Sequence, residues 1–98
     1  MDYKDLINSN EVVMVEFFAT WCPHCQAMMP VVEQLRDLVN GNVDIYQLDI
    51  DKNSATATEA GADSVPTFII YKNGKEQWRQ SGEMGGETLL AKIESYSY

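Results

Sequence analysis

The chain has 98 residues, 45% of them hydrophobic and 22% charged, with a net charge of −8 and a pI near 4.3. That length is expected to make one domain, residues 1–98, around a single core. The acidic balance argues against nucleic acid or an anionic membrane as partner. No apolar run approaches the roughly 20 residues of a membrane span, and Met1-Asp2-Tyr3-Lys4-Asp5 lacks a signal-peptide pattern. The expectation is a cytoplasmic monomer.

Asp2 is placed to cap a short helix in which Tyr3, Leu6 and Ile7 share a face, ended by Asn8-Ser9-Asn10. Val12 to Phe18 is apolar except at Glu16, the pattern of a strand buried on both faces. From Cys22 the period changes. Cys25, Met28, Met29, Val32, Leu35 and Val39 recur at helical spacing, with Asn40-Gly41 expected to close the helix and Pro30 to kink it. Val43 to Ile50 reads as a second strand. Asp51, Asn53 or Ser54 can cap an alanine-rich helix that stops at Gly61.

Val65-Pro66-Thr67 leads into a third strand, Phe68 to Tyr71. Asn73-Gly74 is a strong hairpin signal, so a fourth strand, about Lys75 to Ser81, pairs antiparallel with the third. Leu89, Leu90, Ile93 and Tyr96 mark a C-terminal helix. The order is αβαβαββα.

Both cysteines of the chain, Cys22 and Cys25, sit two residues apart where a strand gives way to a helix. A disulfide closing so short a loop contributes little chain-entropy stabilisation, so a structural staple is a poor account of them. A helix N-terminus carries unpaired N–H groups and partial positive charge that favour a thiolate. Redox exchange is therefore the expected use. The alternatives are half a zinc site or two inert thiols; structural zinc takes four ligands, and the chain has one histidine, His24. Asp49-x-Asp51-x-Asn53 starts like a calcium loop, but Ser54 and Ala60 stand where glycine and glutamate are required. It reads as a strand end and helix cap. The scattered methionines read as core filler, and Trp78 receives no role.

Trp21-Cys22-Pro23-His24-Cys25 resembles the Trp-Cys-x-x-Cys motif of the thioredoxin superfamily. Pro30, Val65-Pro66-Thr67, Lys72-Asn73-Gly74 and Gly82 extend the resemblance over about residues 5 to 97. It implies a thioredoxin-like α/β fold: a four-stranded mixed sheet, order 2-1-3-4, flanked by helices. Too few residues precede Cys22 for the family's usual first strand. Pro-His between the cysteines resembles the bacterial periplasmic dithiol oxidases, although their helical insertion is absent.

The resemblance implies thiol–disulfide exchange with protein substrates, with a reductase of the thioredoxin-reductase type as electron donor and no bound cofactor or metal. Cys22, at the helix start and the more exposed, is expected to attack; Cys25, one turn in, is expected to resolve. Pro23 and His24 are expected to tune the potential, to a value between those of thioredoxin and the Pro-His oxidase. Glu16 aligns with a buried acid that exchanges a proton with the second cysteine; the bland reading is a longer side chain that reaches solvent. Gln47 replaces that acid's lysine partner, which removes a counter-charge. Trp21, Val65 and a cis Pro66 are expected to form the substrate groove, with Val65 backbone pairing to an extended chain. The rival reading is a non-catalytic binding module that uses the same groove.

Overall fold

Seven consecutive residues, Val12–Phe18, form the central strand β1, and six of them are buried. The computed structural model describes residues 2–97. Before β1 comes a five-residue helix, α1 (Tyr3–Ile7), whose N-cap Asp2 accepts the Asp5 N–H at 3.0 Å. After it come α2 (Pro23–Leu38), β2 (Val43–Asp49), α3 (Ser54–Ala60), β3 (Thr67–Lys72), β4 (Lys75–Ser81) and α4 (Gly86–Tyr96). The sheet order is β2-β1-β3-β4, with β1 and β2 parallel and the other two pairings antiparallel. This is the order and mixed character expected.

Alternation along β1 divides the core in two. Val12 and Met14 point to the side of α2 and α4, where they meet Met28, Val32, Leu35, Leu89 and Ile93. Val13, Val15 and Phe17 point the other way, to Tyr3 and Leu6 of α1 and Ala57 of α3. A strand covered on both faces must be apolar at both parities, which explains the unbroken run in the sequence. Glu16 shares the parity of Val12 and Met14, so it lies on the α2 side. Its side chain is fully buried. The solvent-reaching alternative for Glu16 is thereby corrected: with helices over both faces, no twist of β1 takes a glutamate to water.

The β3–β4 turn is Asn73-Gly74 with both residues at positive φ, 51° and 79°, the backbone of a type I′ turn that matches strand twist. Asn73 N–H also donates to Glu11 O at 2.9 Å, tying the hairpin to the start of β1. Trp78, left without a role by the sequence, packs partly buried against the α2–α4 core, with Lys92 Nζ 5.9 Å from its ring centroid.

Some local expectations are corrected. α2 ends at Leu38 on Val39, an extended C-cap residue whose N–H bonds Leu35 O, and Asn40-Gly41 lies beyond it in the loop. The side chain of Asn53 does not cap α3; it donates instead to Asp49 O at 3.0 Å. Asp49 ends β2 one residue earlier than expected, and its carboxylate takes the Asp51 N–H. Met29 is not core filler. It is 36% exposed, off the buried stripe of Cys25, Met28, Val32 and Leu35.

Candidate active site

β1 hands over to α2 in a tight turn, in which Cys22 N–H bonds Ala19 O at 3.2 Å. Cys22 is the N-cap of α2, with extended backbone, and Pro23 occupies the first turn, where no N–H is needed. In that position Cys22 Sγ accepts the Cys25 N–H at 3.2 Å. One of the helix's unpaired donors is therefore aimed at the sulfur, the arrangement that favours negative charge there. On the other side the Cys22 thiol points to Val65 O, 3.9 Å away. Both cysteines are free thiols.

Cys25 lies one turn into α2, on its buried face, against Ala19 and Cys22, with Phe18, Ile50 and Val65 around them. Burial pushes its pKa up to about 12, with further increases from the hydrogen bond to Cys22 and from the charges of Cys22 and Glu16; Ala19 backbone opposes them. Cys22 is only marginally more accessible than Cys25, 4% against 1%. The expected contrast in exposure is thus corrected: the two differ in polar environment rather than in access, because Val65 covers Cys22 from the adjoining loop.

That loop carries a cis Val65–Pro66 peptide bond. Gly82 N–H donates to Pro66 O at 2.9 Å, and Thr67 Oγ1 to Ser64 O at 2.5 Å, so the loop is held from β4 and from within. Trp21 is 64% exposed, yet its indole N–H donates to Asp51 Oδ2 at 3.0 Å. Of the three expected groove residues, Trp21 precedes Cys22 in the chain, Val65 presents its carbonyl to the Cys22 thiol, and Pro66 follows Val65 across the cis bond. His24 turns outward from the first turn of α2 and pairs with Glu83, which follows Gly82 in the loop after β4.

Parallel pairing sets Glu16, whose charge acts on Cys25, opposite Gln47 in register. Gln47 Nε2 donates to Glu16 Oε1 at 2.9 Å, while Glu16 Oε2, also buried, has no hydrogen-bond partner among the described residues. Burial raises the Glu16 pKa above the ordinary carboxyl value, opposed by the Gln47 hydrogen bond and by the Arg36 charge. Gln47 brings no charge of its own to Glu16, and the carboxyl is raised as that substitution implies; a cation stands one amide away, since Arg36 Nη2 donates to Gln47 Oε1 at 2.8 Å. Among the described residues no group of three or more His, Cys, Asp or Glu side chains could hold a metal ion.

Two contributors, Arg36 and Glu83, went unnoticed in the sequence, and Asp51 was read only as a helix cap. Each acts across a loop or a helix–sheet packing, and nothing in the local pattern marks its part in the site.

The family model for thioredoxin matches residues 1–95. A thioredoxin from Synechocystis sp. is 33% identical over 93 residues, 95% of this chain and 87% of that protein. The chloroplastic thioredoxin Y of Oryza sativa subsp. japonica is 34% identical over 90 residues, 92% of this chain and 54% of that protein. The chain spans about half the length of that relative and of the chloroplastic thioredoxins Y1 of Arabidopsis thaliana and M-type of Pisum sativum. Among solved structures, a mutant thioredoxin from Halobacterium salinarum aligns with a TM-score of 0.89 at 33% identity, covering 97% of this chain and 82% of that one. The oxidised thioredoxin of Plasmodium falciparum aligns at 0.83 and 30%, covering 98% and 90%. The chain belongs to the thioredoxin family.

Proposed function

We propose that this protein is a thiol–disulfide oxidoreductase acting on protein disulfides through Cys22 and Cys25. The observation that carries the reading is the position of Cys22 Sγ, between a free N–H of α2 and the Val65 carbonyl, with a second thiol one helical turn behind it.

The Cys22 thiolate attacks one sulfur of a substrate disulfide. The substrate S–S bond breaks, its other sulfur leaves as a thiolate, and Cys22 is joined to the substrate. Cys25 then loses its proton to the Glu16 carboxylate and attacks Cys22 Sγ. The Cys22–Cys25 bond forms and the second substrate sulfur leaves with the electron pair. Two electrons pass from the dithiol to the substrate, and the reverse sequence oxidises a substrate dithiol. Burial keeps Cys25 protonated until this point, so a proton acceptor is needed when it attacks.

An extended substrate segment pairs with the backbone at Val65, beside Trp21 and Pro66. Pro23 and His24 set the potential. A reductase of the thioredoxin-reductase type returns the electrons to a monomer in the reducing cytosol.

Turnover of insulin disulfides with dithiothreitol as electron source tests this directly. Wild type turns over; Cys22→Ser does not; Cys25→Ser accumulates a covalent adduct through Cys22. Absence of both turnover and adduct in folded protein would leave a binding module. An adduct through Cys25 would reverse the two roles.

A further inference from the structure

Glu16 is held from one side only. Gln47 Nε2 reaches Oε1, whereas Oε2 is buried and unpartnered among the described residues. The orientation of the Gln47 amide decides whether Glu16 meets a donor or an acceptor. Arg36 Nη2 occupies Gln47 Oε1 at 2.8 Å and has no acceptor of its own to offer. With the amide oxygen committed to Arg36, the NH2 group must face inward, where it serves Glu16 Oε1 and, at 3.3 Å, Met29 Sδ. Arg36 is itself anchored, with Nη1 donating to Ile45 O at 2.5 Å and Nε 3.6 Å from Glu33 Oε1. A guanidinium one-third exposed to water is thereby linked through one neutral amide to a fully buried carboxyl.

We infer that Arg36, acting through Gln47, is a positioning residue for the proton exchange between Glu16 and Cys25, and that Glu16 Oε2 receives the proton. This rests on the proposed role of Glu16. Among the described residues, the charged group that acts on Glu16 is Arg36, and Glu16 in turn acts on Cys25; both partners lie on α2. β2 contributes the neutral Gln47, and β3 the apolar Phe68 opposite Glu16 in register. In resolution the Cys25 S–H bond breaks, its proton passes to Oε2, and the sulfur's electron pair makes the bond to Cys22. Oε1 keeps the Gln47 hydrogen bond throughout. The donor and the cation beyond it both favour the ionised carboxyl, the form that can take that proton. Removing either makes Glu16 hold its proton to higher pH, and resolution then slows at low pH.

The test is stopped-flow reaction of the reduced full chain with excess symmetric nitrobenzoate disulfide, from pH 4.5 to 8. Attack by Cys22 releases one coloured thiolate and resolution by Cys25 a second, so the phases are read separately. In Arg36→Ala and Gln47→Leu the acid limb of the second phase is expected to move up by about half a pH unit, roughly threefold slower at fixed pH on that limb. Arg36→Lys, which keeps a charged donor, restores the wild-type profile. Adding Arg36→Ala to Glu16→Gln changes nothing further.

If Glu16→Gln slows the second phase but neither Arg36→Ala nor Gln47→Leu shifts its limb, the Arg36 relay is wrong and Glu16 stands. A slowing of equal size at every pH marks a purely structural role and also overturns the inference. If Glu16→Gln leaves the second phase untouched, the role of Glu16 itself falls, and the relay with it. Arg36→Ala also removes the bond to Ile45; should it fail to fold, Gln47→Leu and Arg36→Lys decide.

Discussion

His24 Nδ1–H donates to the Glu83 carboxylate, joining the first turn of α2 to the loop after β4 across 59 positions of sequence. That loop is itself tied to Pro66 through Gly82 N–H. The ion pair thus closes a ring of contacts around the mouth of the site: α2, the Val65–Pro66 loop, and the turn after β4. It also sets a carboxylate against the one histidine between the cysteines, so the influence of the imidazole on Cys22 is partly offset.

Glu83→Gln should therefore make the protein a stronger oxidant at low salt. With Glu83 neutral, no carboxylate opposes the imidazole beside the Cys22 thiolate, and the reduced form gains stability. Both side chains are well exposed, and exposed pairs are worth at most about 1 kcal/mol, so the potential should rise by only about 10–20 mV. Redox titration at low salt measures it; the rise should shrink in concentrated salt and vanish in a His24→Asn background. A rise that survives His24→Asn would show that Glu83 acts on the cysteines directly.

Replacing Pro23-His24 by Gly-Pro should make the potential more negative. The exchange removes the imidazole while keeping proline in the first turn of α2, where its missing N–H is harmless. About 30 mV corresponds to 1.4 kcal/mol for two electrons, so even a weak effect is measurable against a dithiol buffer. An unchanged potential would reduce Pro23-His24 to a turn.

Glu16→Gln should stabilise the oxidised protein at neutral pH and flatten its pH dependence. Burial raises the folded pKa of Glu16, so the folded state binds more protons than the unfolded chain. Stability from this group is fully present below the unfolded value of ~4.3 and is lost as pH rises through the folded value, then levels off. Urea denaturation from pH 4 to 8 should show that decline in wild type and not in Glu16→Gln. Parallel curves would contradict a carboxyl buried as this one is.

The reduced protein should lose stability relative to the oxidised one as pH rises above about 8.5, the ordinary thiol value. Burial lifts the folded pKa of Cys25 to about 12. The unfolded thiol ionises first, and the advantage of the protonated folded thiol drains away through that window. Burial also raises Tyr3 and Tyr71, but those shifts are common to both redox states. Denaturation of the two forms between pH 8 and 10.5, compared pairwise, isolates the thiols; a constant difference would contradict the burial of Cys25.

Gly74→Ala should destabilise the fold by about 1–2 kcal/mol. Gly74 has a φ of +79°, and an added Cβ would lie 2.3 Å from Asn8 Oδ1. Asn8 holds Lys4 O at 2.8 Å, so yielding to the methyl disturbs the end of α1 as well. A denaturation midpoint matching wild type would show that the turn relaxes without penalty.

Where a property depends on neighbours along the chain, the sequence alone determined it. The apolar run from Val12 to Phe18, the helical stripe from Cys25 to Leu35 and the Asn73-Gly74 turn each encode a local backbone preference plus a buried face. Four strands and four helices follow from them. The placing of Cys22 and Cys25 at a strand-to-helix junction was likewise legible, since the spacing and the helix end are both local.

Tertiary structure decided the electrostatics. Glu16 is a lone acid in an apolar strand until parallel register sets Gln47 beside it. Arg36 has no visible task until α2 packs over β2 and its guanidinium meets that amide. His24 shows no partner until the β3–β4 hairpin returns Glu83 to the mouth of the site. Hydrophobic periodicity survives in sequence because burial follows the period of the element itself. Charge pairing does not survive there, because it acts over a few ångströms between residues that only folding brings together.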